Sequence, residues 1–454
     1  MVNILYFSLL IIWAVGVTYS IPGFAIFGFS ILFFVYAYRK FKKKSNKTTA
    51  LVQIMCYSIP LSWRNVFGGD YGELPIAWFY LFGLLLIIHL LSMKKDIKLN
   101  RSMFTLGLII FFVILFSIIP LLITNSNYFS QGLSQFIILS FHSIIVLVAL
   151  LKGRVISETN LLYIEKSYIN AGLFSSIGII VQYVLFKFGT TIGVVEFFLN
   201  RQSFYFLFSE PSHASLYLVT TAFLSIQLLS NQKSKIKSWL TPIIILIGAA
   251  ITSARTGLVV FFALYMMYIF VGQKGVTRKL VSAFLGVVGL FGAYSLYTSV
   301  RQQSGIKDIL FSTSERDVGY EIAINMFKEK PLLGYGFSRD YISSLMGQPI
   351  PHFSFLQYLI HGGVFYTLML FGVIGATYLY AKRNRMHESW LILLTVLGTC
   401  LIPDIFSTRY ITLLMVLVFL KNNLNTEEVF ESSNQLSGIQ TGRLTQAKIL
   451  SNAN

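Results

Sequence analysis

The chain returns repeatedly to apolar runs long enough to cross the roughly 30 Å hydrocarbon core of a bilayer, and this pattern limits its fold class before any motif is read. Backbone inside lipid must satisfy its own hydrogen bonds, so runs of this kind fold as helices. Spans are read at roughly 4–19, 21–38, 49–63, 75–93, 103–123, 135–151, 168–187, 211–229, 239–253, 256–272, 280–298, 353–379, 390–407 and 409–420. Several are short, and the first and last pairs are the weakest, so the count is about 12–14. Only 12% of the 454 residues are charged, against about a quarter in a soluble domain, while 55% are hydrophobic and mean hydropathy is +0.69. The expectation is an all-α polytopic membrane protein. No small-residue cleavage site separates the first two runs, so no cleavable signal peptide is expected.

The net charge of +18 could suggest an acidic polymer as partner, but its placement argues otherwise. Basic residues cluster at Arg39–Lys47, Lys94–Arg101, Lys152–Lys166, Lys233–Lys237, Lys274–Lys279 and Lys382–Arg385, each cluster after two apolar runs. All therefore fall on one side, and the positive-inside rule makes that side cytoplasmic, with both termini there. Nucleic acid is not an expected partner. Lysine dominates this side, where a diffuse charge suffices. The opposite side carries Arg64, Arg201, Arg255, Arg301, Arg316, Arg339 and Arg409, more arginines than lysines. A guanidinium fork matches phosphate oxygens two at a time. Pairing with carboxylates on the same side is the plainer account of any one of them.

Three domains of use follow: a transmembrane region over 1–421, a large extracytoplasmic loop within it at 299–352, and a polar, cytoplasmic tail at 422–454 expected to be disordered. Four motifs face the arginine-rich side. In Phe208-Ser209-Glu210-Pro211-Ser212-His213, Pro211 suits a first helical turn and makes Glu210 an N-cap carboxylate. The functional alternative sets Glu210 and His213 toward an outer cavity, to orient a sugar hydroxyl or accept a proton. Ser253-Ala254-Arg255-Thr256-Gly257 is a turn that puts an arginine near the apolar boundary, either snorkelling to lipid or holding an anion. In the large loop, Arg316 to Phe327 reads as an amphipathic helix with Val318, Ile322, Met326 and Phe327 on the face resting on the membrane. Pro331-Leu332-Leu333-Gly334-Tyr335-Gly336 then breaks the chain. Finally, Pro351-His352 opens a span where the helix's positive end disfavours imidazolium, leaving a neutral ring suited to a general base. His361, further along, is expected to be a hydrogen-bonded structural residue. Cys56 and Cys400 lie in or beside spans and suggest neither disulfide nor metal. No His-x-x-x-His pair, clustered outer carboxylates or Walker-type loop is present, so no metal and no cofactor are expected.

Taken in order, the Ser-x-Arg-Thr-Gly turn, Arg316 to Tyr320, Pro-Leu-Leu-Gly-Tyr-Gly and Pro-His-x-Ser-Phe-Leu followed by Gly362-Gly363 resemble the O-antigen polymerase and O-antigen ligase superfamily. The resemblance covers about 240–375; one departure is Phe353, where the family often carries a small polar residue. It implies a GT-C-like, metal-independent glycosyltransferase in the bacterial cytoplasmic membrane, with an undecaprenyl-diphosphate-linked oligosaccharide as donor. An acceptor hydroxyl would attack the anomeric carbon and lipid diphosphate would leave. On that reading Arg255, Arg316 and Arg301 hold the diphosphate, with Arg339 and His213 as further substrate-binding candidates. His352 is the leading base and Glu210 the second candidate.

A polymerase extends one lipid-linked repeat with another, whereas a ligase transfers finished glycan to lipid A–core or protein. The polymerase is favoured. Implied partners are the lipid-linked oligosaccharide, membrane lipid, and a chain-length regulator and flippase of the same pathway. The alternative of another class, a lipid-linked oligosaccharide flippase, calls for charges along a path inside the spans, and here they gather at span ends.

Overall fold

A computed structural model describes residues 1–68, 75–94, 101–153, 155–198, 201–230, 239–272, 275–301, 316–384, 386–398, 402 and 404–421. The tail 422–454 and the loop residues 302–315 lie outside the described residues. Each expected span contains a helix. In chain order these are α1 (Val2–Tyr19), α2 (Gly23–Lys42), α3 (Lys47–Ser58), α4 (Trp78–Ser92), α5 (Arg101–Phe116) with its short continuation α6 (Ile118–Ile123), α7 (Phe129–Lys152) and α8 (Glu158–Lys187). They continue with α9 (Pro211–Ser230), α10 (Leu240–Ile251), α11 (Arg255–Met267) and α12 (Val276–Arg301). The large loop contributes α13 (Arg316–Glu329) and α14 (Arg339–Met346), before α15 (Ser354–Arg383), α16 (Glu388–Gly398) and α17 (Tyr410–Leu420). Among the described residues, seven stretches are long and apolar enough to cross a membrane unaided, and five shorter apolar helices accompany them. The protein is an all-α polytopic membrane protein.

Local chemistry sets several boundaries. The Asn46 side chain accepts the Thr49 N–H at 2.7 Å to start α3, Ser157 does the same for α8 at 3.4 Å, and Ser338 for α14 at 3.1 Å. Helix α9 is the axis of the bundle: 83% of its apolar window is buried, against 28% for α2 and 39% for α8. It packs on α8, α10, α11 and α16. Close approach to α11 is possible because position 257 is glycine; a Cβ there would stand 2.3 Å from Ser215 Oγ. Helix α17 is buried along its whole length and packs against α7, α15 and α16.

One element was absent from the sequence reading. Between α8 and α9 an antiparallel hairpin pairs β1 (Val194–Phe198) with β2 (Arg201–Phe206). Gln182 of α8, fully buried, donates to the carbonyls of Ile192 and Val194 at 2.6 and 2.9 Å and accepts the Phe206 N–H at 3.0 Å. The hairpin hands the chain directly to Glu210 at the head of α9.

A second difference concerns α13. The face expected to rest on lipid is turned inward at Met326 and Ile322, which join Ala323, Ile342, Met346, Leu356 and Ile360 in a small satellite core. Val318 stays exposed. The apolar stripe was read correctly, but α14 and α15 cover most of it. A helix stripe does not name its partner.

At the lysine-rich end, an ion cluster joins three elements. His387 lies between two carboxylates, Nε2 2.5 Å from Glu165 and Nδ1 3.7 Å from Glu388, and Lys421 stands 3.7 Å from Glu388. Glu165 and Glu388 thus face the two ring nitrogens of His387, and one ligand atom from each of the three lies within 4.8 Å of the others. Burial would lower the His387 pKa, but Glu388 and Glu165 outweigh it and hold it above its ordinary 6.5. A raised folded-state pKa contributes stability that is complete below the unfolded value and is lost as pH rises through the folded one. The melting temperature in detergent should therefore fall as pH rises above the ordinary imidazole value of 6.5, and His387→Gln should flatten that dependence.

Candidate active site

At the opposite end of the bundle, α15 is interrupted. Gly363 has φ 73° and ψ −178°, a conformation open essentially to glycine alone, and the break frees backbone groups on either side. The loop Pro331–Gly336 takes them up. Tyr335 N–H donates to Ile360 O at 2.8 Å, Gly336 N–H to His361 O at 2.9 Å, and Val364 N–H to Pro331 O at 2.8 Å. His361 Nδ1–H donates to Gly336 O at 2.7 Å, which leaves Nε2 as acceptor for Gln357 at 3.3 Å. His361 is the structural residue expected of it, and the Pro-Leu-Leu-Gly-Tyr-Gly and His-Gly-Gly motifs form one interlocked unit.

That unit positions α14. Phe337 N–H donates to Thr124 Oγ1 at 2.9 Å, Ser338 Oγ to Gln131 at 2.9 Å, and Gln131 to Asp340 at 2.5 Å, fixing the head of α14 against α6 and α7. Arg339 then projects to Glu210, Nη1 to Oε1 3.7 Å. The Glu210 carbonyl accepts the Ala214 N–H, starting α9, while its other carboxylate oxygen faces His213 Nε2 at 3.8 Å. Burial would raise the Glu210 pKa, but the charges of His213, Arg339 and His352 outweigh it and hold the carboxyl below its usual value. Four of the expected site residues, Glu210, His213, Arg339 and His352, thus share one neighbourhood built from the heads of α9, α14 and α15.

Behind them lies a layer not chosen from the sequence. Arg409 is 2% exposed, adopts φ 56°, and lays its guanidinium 4.4 Å from the Trp63 ring centre and 5.6 Å from Tyr80. Trp63 meets the His213 ring at 5.0 Å. Asp404 is also buried; its Oδ1 accepts from Tyr358 Oη at 2.5 Å and Phe406 N–H at 2.9 Å, and its Oδ2 from Gln135 at 3.4 Å. His213, Tyr80 and His142 all feel the charges of both Asp404 and Arg409. The signal available in the sequence was cost: two charges set between adjoining apolar runs are expensive unless held by partners.

Arg255 opens α11 and donates from Nε to Tyr297 Oη of α12 at 3.2 Å. Ser215, early in α9, donates to Ala254 O at 3.5 Å, so Arg255 stands at the same end of the bundle as Glu210. Ser253, in a left-handed conformation, shares a hydrogen bond with Ser203 of the hairpin at 2.8 Å. Arg301 closes α12 and Arg316 opens α13; their side chains lie outside the described part of the structure.

The structure thus gathers cations, a carboxylate and imidazoles at one end of a helical membrane bundle. Residues 240–371 match the family model described as O-antigen ligase. The match spans less than a third of the chain and is consistent with the O-antigen polymerase and ligase superfamily its motifs resemble, a family that implies a glycosyltransferase-like enzyme. The matched segment runs from α10 into α15 and includes Arg255, Arg316, Arg339 and His352, whereas Glu210, His213, Asp404 and Arg409 come from outside it. No curated protein matches the chain.

Removing the Asp404 acceptor should be costly, because Tyr358, Phe406 N–H and Gln135 all lose a buried charged partner. Asp404→Ala is expected to destabilise by about 3–5 kcal/mol, read as a fall in the thermal unfolding midpoint, with Asp404→Asn milder.

Proposed function

We propose that this protein polymerises undecaprenyl-diphosphate-linked oligosaccharide repeat units by glycosyl transfer at the outer face of the bacterial cytoplasmic membrane. The observation that carries the reading is the meeting of Glu210, Arg339 and His352, residues far apart in the chain, at one end of the bundle. The lysine-rich end then faces the cytoplasm, with both termini, and the arginine-rich end faces out. An acceptor sugar hydroxyl attacks the anomeric carbon, the bond to the diphosphate oxygen breaks, and lipid diphosphate departs. Arg339, together with Arg255, Arg316 and Arg301, offers positive charge to that leaving group. His352 or Glu210 takes the hydroxyl proton. No chain residue in this scheme requires a metal ion.

The second reading, transfer of finished glycan to lipid A–core or protein, draws support from the description of the matched family as O-antigen ligase. The two differ in acceptor, not in site chemistry. A flippase is disfavoured, since the gathered charges lie at one end of the bundle. Protein reconstituted with lipid-linked repeats should yield a ladder of lengthening chains; products that never exceed one unit would sink the polymerase. Arg339→Gln should reduce the rate by about 10- to 100-fold, as expected when a charge aimed at a developing anion is lost, while leaving transbilayer movement of the lipid-linked unit intact. Loss of that movement would instead favour transport.

A further inference from the structure

Inward from Glu210, polar atoms accumulate that have no hydrogen-bond partner among the described residues: Glu210 Oε2, both ring nitrogens of His213, and Trp63 Nε1. They are contiguous. His213 Nε2 is 3.8 Å from Glu210 Oε2, the His213 ring meets Trp63 edge-on, and Arg409 stacks on Trp63 from beyond. Burying such groups unpaired costs about 1–3 kcal/mol each, so a fold that keeps three of them together keeps them for a use. Exposure separates their roles. Glu210 is 28% exposed and can meet a substrate, while His213 at 3% can act only through Glu210.

Resting on the glycosyl-transfer reading, we infer that His213 and Trp63 are positioning residues that aim the Glu210 carboxylate at the acceptor hydroxyl, making Glu210 the proton acceptor in place of His352. The acceptor oxygen forms its bond to the anomeric carbon as the bond to the diphosphate oxygen breaks with its electron pair. The hydroxyl proton passes to the Glu210 carboxylate. The carboxylate is fixed on several sides: its backbone starts α9, Arg339 holds one oxygen and His213 faces the other. His352 lies in the short link before α15, outside any helix, and its carbonyl accepts from Tyr320 at 3.4 Å. A base must be held at hydrogen-bond reach of its proton, and Glu210, backed by His213 and Trp63, meets that demand.

The charged groups facing Glu210 are His213 from α9, Arg339 from α14, His352 before α15 and Asp404 before α17; Arg409 faces His213 through Trp63. His213, Arg339 and His352 favour the ionised carboxylate, and Asp404 opposes it. Deleting His213 therefore raises the pH at which Glu210 loses its proton.

The test is the pH profile of chain extension by full-length protein in nanodiscs with a lipid-linked repeat unit, alongside thermal unfolding of each variant. Glu210→Gln should lower kcat by at least about 100-fold. His213→Gln should lower kcat by about 10-fold with KM little changed and shift the acid limb to higher pH. Trp63→Phe should act in the same direction, and His352→Asn should keep the acid limb. A His213→Gln profile superimposable on wild type overturns the inference, as does full activity in Glu210→Gln beside an inactive, folded His352→Asn. If wild-type protein neither extends a chain nor transfers glycan to a lipid A–core or protein acceptor, the glycosyl-transfer reading itself fails and this inference with it. An active wild type with an unmoved His213→Gln profile sinks only the inference.

Discussion

A helix broken inside a membrane protein leaves carbonyls and N–H groups that lipid cannot satisfy, and here a distant loop satisfies them. The break at Gly362-Gly363 in α15 is closed by Pro331–Gly336, which supplies two N–H donors and one carbonyl acceptor in register. Position 363 must be glycine twice over: its φ is positive, and a Cβ would stand 2.0 Å from Leu332 O. The exchange locks the orientation of everything between the loop and the helix. Ser338, held by Gln131, starts α14 where Arg339 can reach Glu210. His352 is carried by the same closed unit, because the chain from Gly336 to Ile360 begins and ends on the break. The neighbourhood of Glu210 thus inherits its rigidity from backbone hydrogen bonds far more than from the Arg339–Glu210 pair, which is half exposed and weak on its own.

The helices were legible because lipid leaves few choices: an apolar run long enough to span becomes a helix, and each one expected contains a helix. The order of the motifs was legible for a similar reason, since each needs a particular residue for a backbone purpose. Gly257 is where α9 and α11 touch, and Gly363 is where α15 breaks. The hairpin at Val194–Phe206 was not, because its apolar alternation is short and sits between spans, where it reads as linker. Nor was the inward turn of α13. Its stripe was visible, but whether lipid or protein covers a stripe is decided by elements far away in sequence, here α14 and α15.

Asp404 and Arg409 show the other limit. Both were counted among the charges on the arginine-rich side, and neither was singled out, because a charge beside a span usually snorkels. The structure holds them inside. Tyr358 from α15, Gln135 from α7 and the Phe406 backbone converge on Asp404, while Trp63 and Tyr80 supply aromatic faces to Arg409. Four of those partners lie more than 40 residues from the charge they serve, and only the packed bundle brings them together. Long-range pairing of this sort has no spacing signature.

The two ends of the bundle handle buried charge in opposite ways. At the lysine-rich end, His387 and Lys421 face Glu165 and Glu388, so two cations meet two carboxylates and the cluster closes on itself. Such a cluster ties α8, α16 and the end of α17 together. At the other end, Arg339 stays half exposed over Glu210, and the imidazole of His213 is buried with neither nitrogen hydrogen-bonded among the described residues. The same fold therefore gathers ion pairs among several helices at one end and leaves a surface cation above buried polar groups at the other.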